Sequence, residues 1–158
     1  MSDRPELRAG DVLVYTGNSF FDWIIRLKRG SYCCHVEVFV GGGMSVAARN
    51  WPKGVGKYPV RWDGLYRVYR PMKPLNIDAG MKWFYAKANG KPYDVLGLLC
   101  FTWAQAHGIK DRFFCSELAR DFLVASDFDP FNPDFSSDHC APDHFGTSAV
   151  LETVWKAQ

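Results

Sequence analysis

The sequence predicts a single α+β domain, with a small antiparallel sheet or barrel packed against helices. Three observations carry this prediction. Cys33 to Val40 alternates along a strand, meets Gly41-Gly42-Gly43, and returns as Met44 to Arg49, which is the pattern of a hairpin. Cys115 to Ser126 places Leu118, Ala119, Phe122 and Leu123 on one helical stripe. The length of 158 residues, 47% of them hydrophobic, suits one domain (1–158) around one core.

The elements follow in order. Asp11 to Thr16 reads as a strand, and Gly17-Asn18-Ser19 breaks it, with Asn18 or Ser19 available as an N-cap. Phe20 to Arg29 reads as a short amphipathic helix that stops at Gly30. In the strand from Cys33, one alternating set is Cys33, His35, Glu37 and Phe39. The other is Cys34, Val36, Val38 and Val40, apolar apart from its thiol, and is expected to form the main buried face. Asn50 to Tyr58 holds Pro52 and Gly54 and Gly56, and reads as a loop. Gly64 to Arg70 is a strand ended by Pro71, and Asp78 to Asn89 a helix closed by Gly90. Pro92-Tyr93-Asp94 leads into an apolar segment through Gln105, read as a buried helix. Asp127 to Pro142 is rich in Asp, Pro and Ser and reads as an ordered, irregular loop. Ala149 to Trp155 reads as a final strand.

Charge and composition exclude several classes. A net charge of +2 with scattered Lys and Arg gives no basic stripe for nucleic acid. Arg26-Leu27-Lys28-Arg29 reads as the solvated C-terminal end of a helix, where cations suit the dipole. No apolar run reaches membrane-spanning length. The polar start Met1-Ser2-Asp3-Arg4-Pro5-Glu6 is unlike a secretory signal, so a cytoplasmic location is expected, with virion packaging left open. Five cysteines, an odd number, then remain thiols rather than a disulfide framework.

Cys115 lies on the apolar stripe in the first turn of its helix, so its sulfur is expected to face the protein body. Unpaired N–H groups and the positive dipole end at that position favour the thiolate, the reactive form. The same N–H groups are candidates for an oxyanion hole. The competing reading is an inert core cysteine, which is how Cys33, Cys34, Cys100 and Cys140 are read.

His35 and Glu37 share one face of their strand, roughly 7 Å apart at the backbone. A carboxylate so placed can fix the tautomer of an imidazole and stabilise the imidazolium. The alternatives are a core histidine satisfied by a carbonyl, and an exposed charge. Metal binding competes for the same residue types: Cys33, His35, Cys115, His139, Cys140 and His144 are candidate ligands. No Cys-x-x-Cys or His-x-x-x-His spacing is present, so no metal and no cofactor are expected.

The ordered set of motifs resembles the permuted branch of the NlpC/P60 superfamily, which includes the YiiX/YaeF-type papain-like amidases. Arg8-Ala9-Gly10-Asp11-Val12-Leu13 resembles its opening strand. His35 to Gly41 resembles its histidine strand and hairpin, and Pro92-Tyr93-Asp94 with Gly97-Leu98-Leu99 its helix start. Phe114-Cys115-Ser116-Glu117-Leu118 resembles its nucleophile motif, and Ala141-Pro142-Asp143-His144-Phe145 a short segment that follows. These matches span nearly the whole chain, in an order that puts His before Cys.

The resemblance implies a permuted papain-like fold and a cysteine amidase, peptidase or acyl-ester hydrolase. Its implied substrates are peptides, peptidoglycan or acyl lipids. Cys115 carries over as nucleophile and His35 as general base. Ser116, Tyr93 and Asp94 are candidates for the oxyanion hole and cleft, although Asp94 serves equally as an N-cap. Many relatives carry a third polar residue on the return strand, at the position of Ala47 here. Glu37 is the nearest substitute, with Arg49 and Ser45 poorer ones. The rival expectation is a weakly active or inactive module of a phage particle, with virion proteins as partners.

Overall fold

In the computed structural model, residues 4–17, 32–49, 53–92, 113–135 and 140–157 are described. Six strands form one antiparallel sheet: β1 (Val12–Thr16), β2 (Cys33–Gly41), β3 (Met44–Arg49), β4 (Gly54–Pro59), β5 (Leu65–Pro71) and β6 (Leu151–Lys156), in the order β4-β3-β2-β1-β5-β6. Among the described residues the helices are α1 (Ile77–Trp83), running into a π-helical stretch at Phe84–Ala88, and α2 (Cys115–Ala125), with a 3-10 turn at Pro142–Thr147.

The alternation in β2 sorts the two faces. Val36 and Val38, with Val12, Val14, Val46 and Ala48 of the neighbouring strands, pack on Leu118, Ala119, Phe122 and Leu123 of α2. The expected apolar face is therefore the one beneath the helix. The opposite face is also covered: Leu13, Tyr15, Phe39, Leu65 and Val68 form a second cluster, with Leu7, Val60 and Trp155 against it. Glu37, expected as an exposed charge if not functional, is fully buried.

Local chemistry sets the element ends. Gly41, Gly42 and Gly43 all take positive φ, which lets β2 turn tightly into β3. Asn76 caps α1, its Oδ1 accepting the Ala79 N–H at 3.2 Å. At the start of α2, Glu117 accepts the Phe114 backbone N–H at 3.3 Å and binds one otherwise orphaned donor. Asp11, buried ahead of β1, accepts Arg70 Nε and Nη2 at 2.8 Å each and the Arg8 N–H at 2.7 Å. That clamp ties the opening strand to β5.

Two expectations are corrected. Residues 54–58, read as the end of a loop, instead belong to strand β4 (Gly54–Pro59), which pairs with β3 from Met44↔Pro59 to Arg49↔Gly54. Gly and Pro are tolerated there because β4 is the sheet edge, where one row of backbone groups needs no partner strand. The helix expected over residues 78–89 is present but closes as a π-helical turn, with the Asn89 N–H bonding Phe84 O. The helices expected at residues 20–29 and 94–105 lie outside the described residues.

Candidate active site

β2 and α2 bring His35 and Cys115 together. Cys115 lies close enough to His35 for its sulfur to raise the imidazole. The His35 Nε2 meets Glu37 Oε1 at 3.0 Å. With Nε2 held by the acid, Nδ1 is the ring nitrogen left for another partner. The β1–β2 register shifts between Tyr15 and Thr16, opposite Cys33 to His35, which bends the end of the strand that carries the histidine. Cys115 is 5% exposed, in the first turn of α2, on the stripe that packs against the sheet.

Glu37 is the most heavily partnered group in the site. Its Oε1 accepts Arg49 Nε at 3.0 Å as well as meeting His35. Its Oε2 accepts the Ser45 hydroxyl and Arg49 Nη2, the latter at 3.2 Å. Burial alone would raise this carboxyl. The His35 hydrogen bond and charge, with Ser45 and Arg49, outweigh burial and hold it at about 2. Burial likewise pulls His35 down, but the hydrogen bonds and charges of Cys115 and Glu37 raise it to about 9. The site thus favours an imidazolium between a carboxylate and a sulfur across neutral pH.

β3 supplies the support that sequence reasoning missed. The sequence offers Ser45 and Arg49 only as poorer substitutes for the acid. They instead hold it, from the two positions flanking Ala47 on the same strand face. Ala47 is 1% exposed. The strand alternation already placed Ser45, Ala47 and Arg49 on one face, and that was the available signal. Arg49 is itself fixed, its Nη2 donating to Pro59 O at 3.1 Å and its guanidinium stacking 4.5 Å from the Tyr58 ring centroid. Tyr15 was also missed; its ring centroid lies 5.9 Å from that of His35.

The remaining candidates separate. The Ser116 hydroxyl donates to Cys140 O at 2.6 Å, tying α2 to the segment before the 3-10 turn. Tyr93 and Asp94 lie outside the described residues, as do His139 and Cys100. Burial pushes the Cys140 thiol up, against the opposing charge of Arg120, so it remains protonated and inert. His144 Nδ1 accepts the Ala141 N–H at 3.2 Å.

A cysteine at the head of a helix and a histidine on a strand earlier in the chain sit on an antiparallel sheet within an α+β fold. The chain has the fold of YiiX. It is similar to the crystal structure of the metalloprotein YiiX from Escherichia coli, with a TM-score of 0.66 and 19% identity, over 95% of this chain and 97% of that one. No family model matches the chain, and no curated protein matches it. A phage origin finds no support in these comparisons.

YiiX is described as a metalloprotein. Among the described residues, no group of three or more His, Cys, Asp or Glu is placed to hold a metal ion. At the Cys115–His35 pair the nearest carboxylate, Glu37, already has its oxygens engaged by His35, Ser45 and Arg49. That donor set does not fit a metal. Among the described residues, no helix is long and apolar enough to cross a membrane.

Proposed function

We propose that this chain is a cysteine hydrolase that cleaves an amide or ester through a thioester intermediate. One observation carries the reading: His35 is held at 3.0 Å by the buried, ionised Glu37 and is raised by the nearby Cys115 at the head of α2. Cys115 Sγ attacks the substrate carbonyl as thiolate, with its proton held on His35. The backbone N–H groups at the head of α2 hold the oxyanion of the tetrahedral intermediate. The carbon–nitrogen or carbon–oxygen bond then breaks, and His35 gives its proton to the leaving group. Water, deprotonated by His35, attacks the thioester and releases the acid and the free thiolate. Glu37 keeps the ring oriented and the imidazolium stable through both halves.

Peptides, peptidoglycan peptides and acyl lipids are the substrate classes this chemistry serves. A reducing, cytoplasmic setting suits it, since thioester chemistry needs Cys115 as a thiol. The experiment is acylation by p-nitrophenyl acetate, read by mass spectrometry of peptides. The expected result is an acetyl group on Cys115 that turns over. Turnover should fall by about 10²–10⁴-fold in His35→Ala, the usual cost of a lost general base. Acetylation spread over several residues, or equal in His35→Ala, refutes the reading.

A further inference from the structure

The site contains one guanidinium more than its acid needs. A carboxylate offers about four acceptor positions. Those of Glu37 are filled by His35, by Ser45 and by two nitrogens of Arg49. Arg61 approaches the same carboxylate, but its Nη2 stops at 3.8 Å from Oε1, beyond hydrogen-bond distance. Among the described residues, the Arg61 guanidinium has no hydrogen-bond acceptor.

Arg61 is nevertheless held in place. Its guanidinium lies 5.0 Å from the Tyr15 ring centroid, and that ring packs against His35. The two arginines differ in exposure: the Arg49 side chain is 11% exposed and the Arg61 side chain 49%. So Arg49 is locked inward, while Arg61 lies against an aromatic ring with its side chain half exposed. The local charge is also unbalanced, with one carboxylate facing two guanidiniums before the Cys115–His35 pair is counted.

We propose that Arg61 binds a carboxylate of the substrate, so that the amide or ester cleaved here carries an anionic carboxylate near the scissile bond. This rests on Cys115 being the nucleophile. One planar guanidinium edge satisfies one planar carboxylate in a bidentate pair. A phosphate would call on further donors, and Arg49 is already engaged by Glu37 and Pro59.

The test compares iodoacetate with iodoacetamide, two alkylating agents that differ in carboxylate against carboxamide. The rate at Cys115 is read by peptide mass spectrometry. The iodoacetate-to-iodoacetamide ratio should fall by about tenfold in Arg61→Gln, the scale of a lost charge-assisted pair. Arg61→Lys, which keeps the charge and loses the fork, should fall between. Lys82→Gln removes an exposed charge on α1 and should leave the ratio as it is. An unchanged ratio in Arg61→Gln, or an equal fall in Lys82→Gln, overturns the assignment while leaving the nucleophile in place. Protection of Cys115 by inorganic phosphate but not by acetate also overturns it. Failure of both reagents to alkylate Cys115 removes the nucleophile, and this inference with it.

Discussion

Arg49 grips Glu37 with two nitrogens, Nε at 3.0 Å from Oε1 and Nη2 at 3.2 Å from Oε2. After His35 and Ser45, this fork adds to what keeps a fully buried acid ionised. Arg49→Met takes away that counter-charge and leaves Glu37 with His35 and Ser45. The carboxyl then rises toward its ordinary range, and the acid limb of the activity profile moves to higher pH. Losing one partner of a buried ion pair costs about 3 kcal/mol in stability, read from urea unfolding. Arg49→Lys keeps the charge and is expected to restore part of the pH profile. An unshifted acid limb in Arg49→Met would show that Arg49 only packs.

Stability should depend on pH from both sides. Glu37 has a folded value of about 2 against an ordinary 4.5, so its contribution is full above pH 4.5 and is lost as pH falls toward 2. His35 is raised from 6.5 to about 9, so its contribution is full below pH 6.5 and is lost as pH rises through 9. Each is worth up to about 3 kcal/mol by linkage. Maximal stability is therefore expected between pH 4.5 and 6.5. In His35→Gln the decline between pH 6.5 and 9 should flatten. Urea midpoints across pH measure both, and a wild-type midpoint that is level from pH 6.5 to 9 contradicts the His35 assignment.

Most of this arrangement is legible in the sequence. The His35 strand, the three-glycine hairpin and the Cys115 helix stripe are local patterns, and they place His35 and Cys115 on the strand and helix where the structure has them. β4 was not legible, because its strand character comes from pairing with β3 and its own residues include Gly54, Gly56 and Pro59. The roles of Ser45 and Arg49 were hidden for another reason. A search for one orienting residue at Ala47 looks for a replacement, whereas the two residues beside it hold an acid on the next strand. Arg61 comes from the turn between β4 and β5, and no pattern in the chain points it at Glu37.

Gly80 is where α1 approaches α2. A Cβ at this position would collide with the Ser126 hydroxyl and lie 3.0 Å from Phe122 Cζ, in a place where both neighbours are fully buried. In an open helix Gly→Ala stabilises by about 1 kcal/mol. Here overpacking reverses the sign, and Gly80→Ala is expected to destabilise by about 1–3 kcal/mol. Thermal unfolding decides it; a raised Tm would mean that the two helices separate freely.

The most direct measurement is limiting iodoacetamide labelling across pH, with each cysteine located by mass spectrometry. The account predicts that Cys115 is labelled first and at low pH, ahead of Cys33, Cys34 and Cys140, and that His35→Ala abolishes this preference. Uniform labelling of the cysteines, or a Cys115 preference that survives His35→Ala, would contradict it.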